Sequence, residues 1–204
     1  VIVNSEVETL RKGELCTVLL LYGAYNLCHN LAFLVGYHLL PVGAMKGAHP
    51  AYMIAARLAK SSGFWSEFGG TLVINVLVMG SICILLNLQR VGTIPLGHLV
   101  PLFLGLTTGL FLGTNSLAAM DLSGVPFLAG TATGLSIGGT EMLGYVCLIA
   151  ATSGISIYQR QTWWRWDEKF VRTRQLREVS LSRGELGLLA LGLLLIILAG
   201  YRES

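Results

Sequence analysis

Charge is what this sequence has least of. Asp, Glu, Lys and Arg make up only 12% of its 204 residues, roughly half the usual share of a soluble globular domain. That is too little to clothe a water-facing surface, and with a mean hydropathy of +0.67 it predicts an integral membrane protein. Catalytic signatures are missing as well. The chain contains no HExxH, P-loop or CxxC, and no constellation argues for an enzyme, a metal or a cofactor. The four cysteines, Cys16, Cys28, Cys83 and Cys147, all fall in apolar stretches. They read as small membrane-buried thiols and exclude a disulfide framework. No basic start followed by a short apolar run and a small-residue cleavage site is evident, and the sequence opens at Val1 without a methionine, which leaves a removed leader open.

What the chain does have is long apolar runs. Residues 14–40, 69–88, 96–118 and 184–201 each approach or exceed the roughly 20 residues that cross a hydrocarbon core. Residues 49–68 carry Arg57, Lys60 and Glu67 and fit a surface amphipathic helix or the lead-in to the next span. From Val125 to Tyr158 the only charged side chain is Glu141. A continuous helix over that stretch would measure about 50 Å against a core of roughly 30 Å. The Gly138-Gly139 pair offers a break and Thr140 a cap, giving a short re-entrant segment at 125–137 and a span at 140–158; one long tilted helix is the other reading. The expected fold is all-α: a single integral membrane domain over 1–204, a polytopic bundle with about five crossings.

Basic residues set the expected orientation. Five crossings with the N-terminus inside place Arg11, Lys12, Arg90, Arg160, Arg165, Lys169, Arg172, Arg174, Arg177 and Arg183 on one side and Lys46, Arg57, Lys60 and Arg202 on the other. The majority side is then cytoplasmic. Residues 159–183 become a cytoplasmic basic aromatic loop, in which Trp163, Trp164 and Trp166 can anchor at headgroups or meet a partner. The loop has no recognisable nucleic-acid fold, and retention at a membrane surface is the simpler reading.

Two glycine ladders mark the middle of the chain. Gly105, Gly109 and Gly113 recur at every fourth position, as do Gly130, Gly134 and Gly138. Each set lines one helix face and permits close backbone approach. Packing between the chain's own helices is the first reading, with a homo-oligomeric seam or a narrow conduction path as alternatives. Glu141 follows the second ladder. A charge there would be expensive in lipid, so it is expected to face the protein interior, a watery recess or a partner. It serves assembly, docking or a proton path, with Asn75, Asn87 and Asn115 as candidate companions.

His29 and His98 invite a haem reading, but the spans do not place them at one depth, and hydrogen-bonded packing is the simpler account. His38 and His49 have no metal-ligand spacing. The phrases RKGEL at 11–15 and SRGEL at 182–186 put Glu14 and Glu185 in early helical turns, as start signals explain.

From Asn75 through the GTNS of 113–116, and again at GGTEMLGYVCLIAATSGI, residues 138–155, the sequence resembles the stage II sporulation protein M family of integral membrane proteins. Asn75, Asn115 and Glu141 take the matching positions. Ser116 stands where that family has glycine, and its His-Gly before the acidic region is absent. The resemblance covers roughly residues 65–158. It implies a multispan membrane protein without enzymatic activity that acts with other proteins, as the sporulation member does as a scaffold for peptidoglycan remodelling. The expected function is a cell-membrane scaffold or accessory subunit whose partners are membrane proteins and lipids, with a small-solute channel or transporter as the rival.

Overall fold

The computed structural model describes residues 2–46, 63–116, 127–165 and 167–203, with side chains over 13–46, 63–116, 138–165 and 167–202. Five long helices dominate: α1 (Ile2–Leu39), α2 (Phe64–Asn87), α3 (Leu99–Gly113), α4 (Phe127–Thr152) and α5 (Arg183–Glu203). Four stretches are long and apolar enough to cross a membrane: Gly13–Leu39, Phe64–Asn87, Leu96–Gly113 and Arg183–Arg202. The expectation of helical membrane architecture holds at that level.

The expected break in α4 does not occur. The helix runs from Phe127 through Gly138 and Gly139 to Thr152, about 39 Å. Breaking it in hydrocarbon would strand backbone N–H and C=O groups at several kilocalories per mole each. The glycines are used for packing, since a Cβ on Gly139 would lie 3.2 Å from the Tyr22 hydroxyl. Residues 127–137, read as a re-entrant segment, are the first turns of this same helix. The proposed surface helix at 49–68 falls mainly outside the described residues; from Phe64 onward it is the lead-in to α2. α2 widens to a π-helix over Val73–Gly80 between two α-helical segments, Phe64–Leu72 and Ser81–Asn87.

The fold is also not purely helical. QRVGTIP, expected as a tight connection, forms a hairpin of β1 (Gln89–Val91) and β2 (Ile94–Pro95). Its first turn residue, Gly92, has φ +59, the left-handed conformation that primed hairpin turns reserve for glycine. The segment after α4 adds β3 (Tyr158–Arg160) and β4 (Val171–Arg172) to give the order β2-β1-β3-β4. β1 and β3 are parallel, with Arg90 opposite Gln159, while the outer pairs are antiparallel.

This small sheet defines one end of the bundle. α2 and α4 run into it, and α3 and α5 leave from it. The apolar span of α1, from Gly13, begins there too, because the Glu14 carboxylate lies beside Gly184 at the start of α5. At the opposite end, Gly43 N–H donates to Thr114 O over 2.6 Å and Met45 N–H to Ser116 Oγ over 3.1 Å. Phe64, Phe68 and Tyr201 cluster there as well, the rings of Phe64 and Tyr201 crossing edge to face at 5.5 Å. The core is centred on the second half of α4, where Val146, Leu148, Ile149 and Ala151 are fully buried.

Candidate functional site

The first glycine ladder is a seam between α1 and α3. A Cβ on Gly105 would come within 2.8 Å of Tyr25 O, one on Gly109 within 2.8 Å of Ala32 Cβ, and one on Gly113 within 3.1 Å of Gly36 Cα. The two helices run in the same direction and touch backbone to backbone. That proximity positions chemistry: Thr108, between two ladder glycines, places its hydroxyl 3.0 Å from His29 Nδ1. The same hydroxyl donates to Leu104 O at 2.7 Å, so it accepts from His29 Nδ1–H and leaves Nε2 as the bare ring nitrogen. Nε2 is buried without a partner, and His29 is 1% exposed.

Tyr25 extends the cluster toward α4. Its ring lies 5.7 Å from that of His29 and 6.2 Å from that of Tyr22, and its hydroxyl reaches α4 near Gly138, 3.9 Å from where a Cβ there would stand. Glu141, half-buried on α4, accepts a 2.6 Å hydrogen bond from the Tyr145 hydroxyl one turn on. The expected intramembrane carboxylate therefore faces protein, and its neighbours are tyrosines. On α1, Asn26 and Asn30 donate to Tyr22 O and Asn26 O, each at 2.7 Å.

The candidate asparagines do not join this cluster. Asn87 sits at the sheet end, fully buried, and donates to Ile149 O and Thr152 Oγ1, both at 2.8 Å. Asn75 is buried in the π-helical part of α2. Asn115 turns the chain at the opposite end with φ 49, a conformation asparagine tolerates better than most residues. His29 and His98 are not brought together either: His98 Nε2 pairs with Ser153 Oγ at 2.9 Å near the sheet. Gly138 packs lightly: a Cβ there would lie 3.9 Å from the Tyr25 hydroxyl. The surroundings of Gly130 and Gly134 lie outside the described residues, as does Trp166.

Sequence reasoning missed the second close crossing. α4 and α5 meet where a Cβ on Gly144 would lie 2.8 Å from Gly192 O and one on Gly192 equally close to Gly144 O. Each helix contributes one glycine here, so no ladder announces the pair. The start of α5 was legible: Ser182 Oγ accepts from Glu185 N–H at 3.1 Å while Glu185 accepts from Ser182 N–H at 2.6 Å, a capping box.

At the sheet end the basic loop is a folded cap. Glu168 clasps it by accepting from Thr162 Oγ1 at 2.6 Å and from the Gln161 and Thr162 N–H groups at 2.6 and 3.1 Å. Arg160 lies 3.9 Å away. These contacts, the Thr162 hydroxyl foremost, hold the Glu168 carboxyl below its ordinary 4.5. Trp164 is 80% exposed and Trp163 38%, in keeping with anchoring at a headgroup region. Trp65 and Tyr201 supply exposed aromatics at the opposite end.

Apolar helices of spanning length, glycine-mediated seams and polar side chains turned inward define a helical membrane protein. Comparison with protein-family models, curated proteins and solved structures finds no match.

Proposed function

We propose that this protein is a non-catalytic scaffold or accessory subunit of a complex in the cell membrane. It crosses the bilayer five times, α4 being the fifth crossing, with its N-terminus and cap on the cytoplasmic side. The observation that carries the reading is the cap. Parallel pairing of β1 with β3 joins the α2–α3 and α4–α5 connections into one platform presenting Arg165, Lys169 and Trp164 to the outside. A connection that only returned the chain to the membrane would need neither a sheet nor a carboxylate clasp. The orientation rests on the basic residues, which crowd the sheet end while Lys46 and Arg202 sit at the other.

The resemblance to the stage II sporulation protein M family points the same way, toward a membrane protein that works with other membrane proteins and lipids. Where that family has glycine, Ser116 uses its hydroxyl to accept from Met45 N–H. A small-solute or ion transporter is the second reading, and the Glu141, Tyr145, Tyr25 and His29 cluster favours it, because buried titratable groups within spans often mark ion pathways.

Purification in a native-like detergent with identification of co-purifying proteins tests the proposal. A recurrent partner retained through gel filtration is expected. A lone, stable protein giving specific flux in liposomes would contradict it.

A further inference from the structure

The geometry points to a binding site for the phosphate of an anionic phospholipid at the outer edge of the cap, where Arg172, Thr173, Arg174, Gln175 and Glu178 line an open recess of about 330 Å³. The two guanidinium groups are held in place without being neutralised. Arg172 Nε donates to Arg174 O at 3.1 Å, and Arg174 Nη1 donates to Gly154 O at 3.1 Å. Each guanidinium has five N–H donors, so most remain for a ligand. Among the described residues the one ion pair within 4.0 Å is Arg160 with Glu168, so neither arginine meets a carboxylate. Glu178, the acidic residue of the recess, turns its Oε2 onto Gln175 N–H at 3.0 Å. Two ordered guanidiniums facing one recess are suited to bidentate recognition of phosphate.

Its surroundings identify the source of that phosphate as lipid. Val171 and Leu176, which border the lining segment in sequence, have 64% and 66% of their surfaces exposed, which suits acyl-chain contact near a headgroup. Arg174 is tied to Gly154, directly after α4, and α5 begins at Arg183, which places the recess level with helix ends. A basic pocket beside apolar side chains at that depth matches the sites at which membrane proteins hold acidic headgroups. The site goes beyond the scaffold reading and stands whichever partner the cap carries.

The test is native mass spectrometry of the purified chain with phosphatidylglycerol or phosphatidylcholine added. Preferential retention of phosphatidylglycerol is expected. It should weaken roughly tenfold in the Arg172→Gln/Arg174→Gln double variant and change less than about twofold in Arg165→Gln/Lys169→Gln, which removes the same charge elsewhere on the cap. Leu176→Glu sets a negative charge beside the recess without touching either arginine's hydrogen bonds, and should also weaken retention, so misfolding of the double variant does not decide the matter. Equal losses in the two charge-matched pairs would overturn the proposal, as would equal retention of both lipids. Equally tight binding of inorganic phosphate alone would reassign the site to a soluble anion.

Discussion

Glu141 shows how one side chain can be accommodated where its composition forbids it. The Tyr145 hydroxyl at 2.6 Å supplies a donor that lipid would not, so the carboxyl group belongs to the interior of the bundle. If its role is assembly, Glu141→Gln keeps an acceptor oxygen and retains complex yield, whereas Glu141→Ala removes the acceptor Tyr145 uses and weakens the fold by about 1–3 kcal/mol. Yield and thermal stability in detergent measure this, while proton flux in liposomes for the same variants separates the transport rival, for which the Gln variant alone would abolish pH-dependent flux. Asn87 is the sharper structural case. Fully buried and bonded to both Ile149 O and Thr152 Oγ1, it ties the end of α2 to the end of α4. Asn87→Ala is expected to cost about 1–3 kcal/mol, read as a lowered melting temperature in detergent. That Glu141 must be satisfied was legible from its apolar neighbours. Tyr145, one helical turn on, was legible too, whereas the approach of Tyr25 from α1 was not, because only packing decides how two helices are rotated against each other.

At the scale of the element, the glycine spacing revealed one seam and concealed the other. Gly105, Gly109 and Gly113 line a single face, and that face meets α1 backbone to backbone. Gly109→Leu would drive a side chain into His29 O and Ala32 and should destabilise by about 3 kcal/mol or more. Gly144→Leu should do the same at the α4–α5 crossing. Gly23→Leu and Gly69→Leu are the controls: nothing lies within 4 Å of a Cβ at either position, so folded yield should hold. Loss of yield in the controls as well would show sensitivity to helix composition and not to the seams. The break expected at Gly138-Gly139 does not occur because an unbroken α4 keeps its backbone bonded within the helix, where hydrocarbon offers no other partner. The cap sheet was missed because its strands are two or three residues long and carry no alternating pattern to read. Its clasp responds to pH. The folded Glu168 carboxyl titrates below its ordinary 4.5, so its contribution is complete above that value and is lost as pH falls through the lower folded value. Protection of the Gln161 and Thr162 amides from hydrogen exchange, taken relative to the intrinsic rate at each pH, should be high at neutral pH and fall in acid below about pH 4.5, and Glu168→Gln should remove that dependence.

For the whole molecule, the alternation of helix directions and the position of the basic residues support the proposed orientation, in which the sheet end faces the cytoplasm and the Gly43–Thr114 end faces away. Helical membrane architecture was the most legible feature of the sequence, since long apolar runs survive any error in local detail. Single reporter cysteines introduced in place of Trp164 on the cap and Val42 at the opposite end, in a chain whose four native cysteines are replaced, test the orientation most directly. Labelled with a membrane-impermeant maleimide in vesicles of known orientation, Trp164→Cys is predicted to react only from the cytoplasmic face and Val42→Cys only from the other. Reaction of both from one face, or of Trp164→Cys from the exterior, would contradict it.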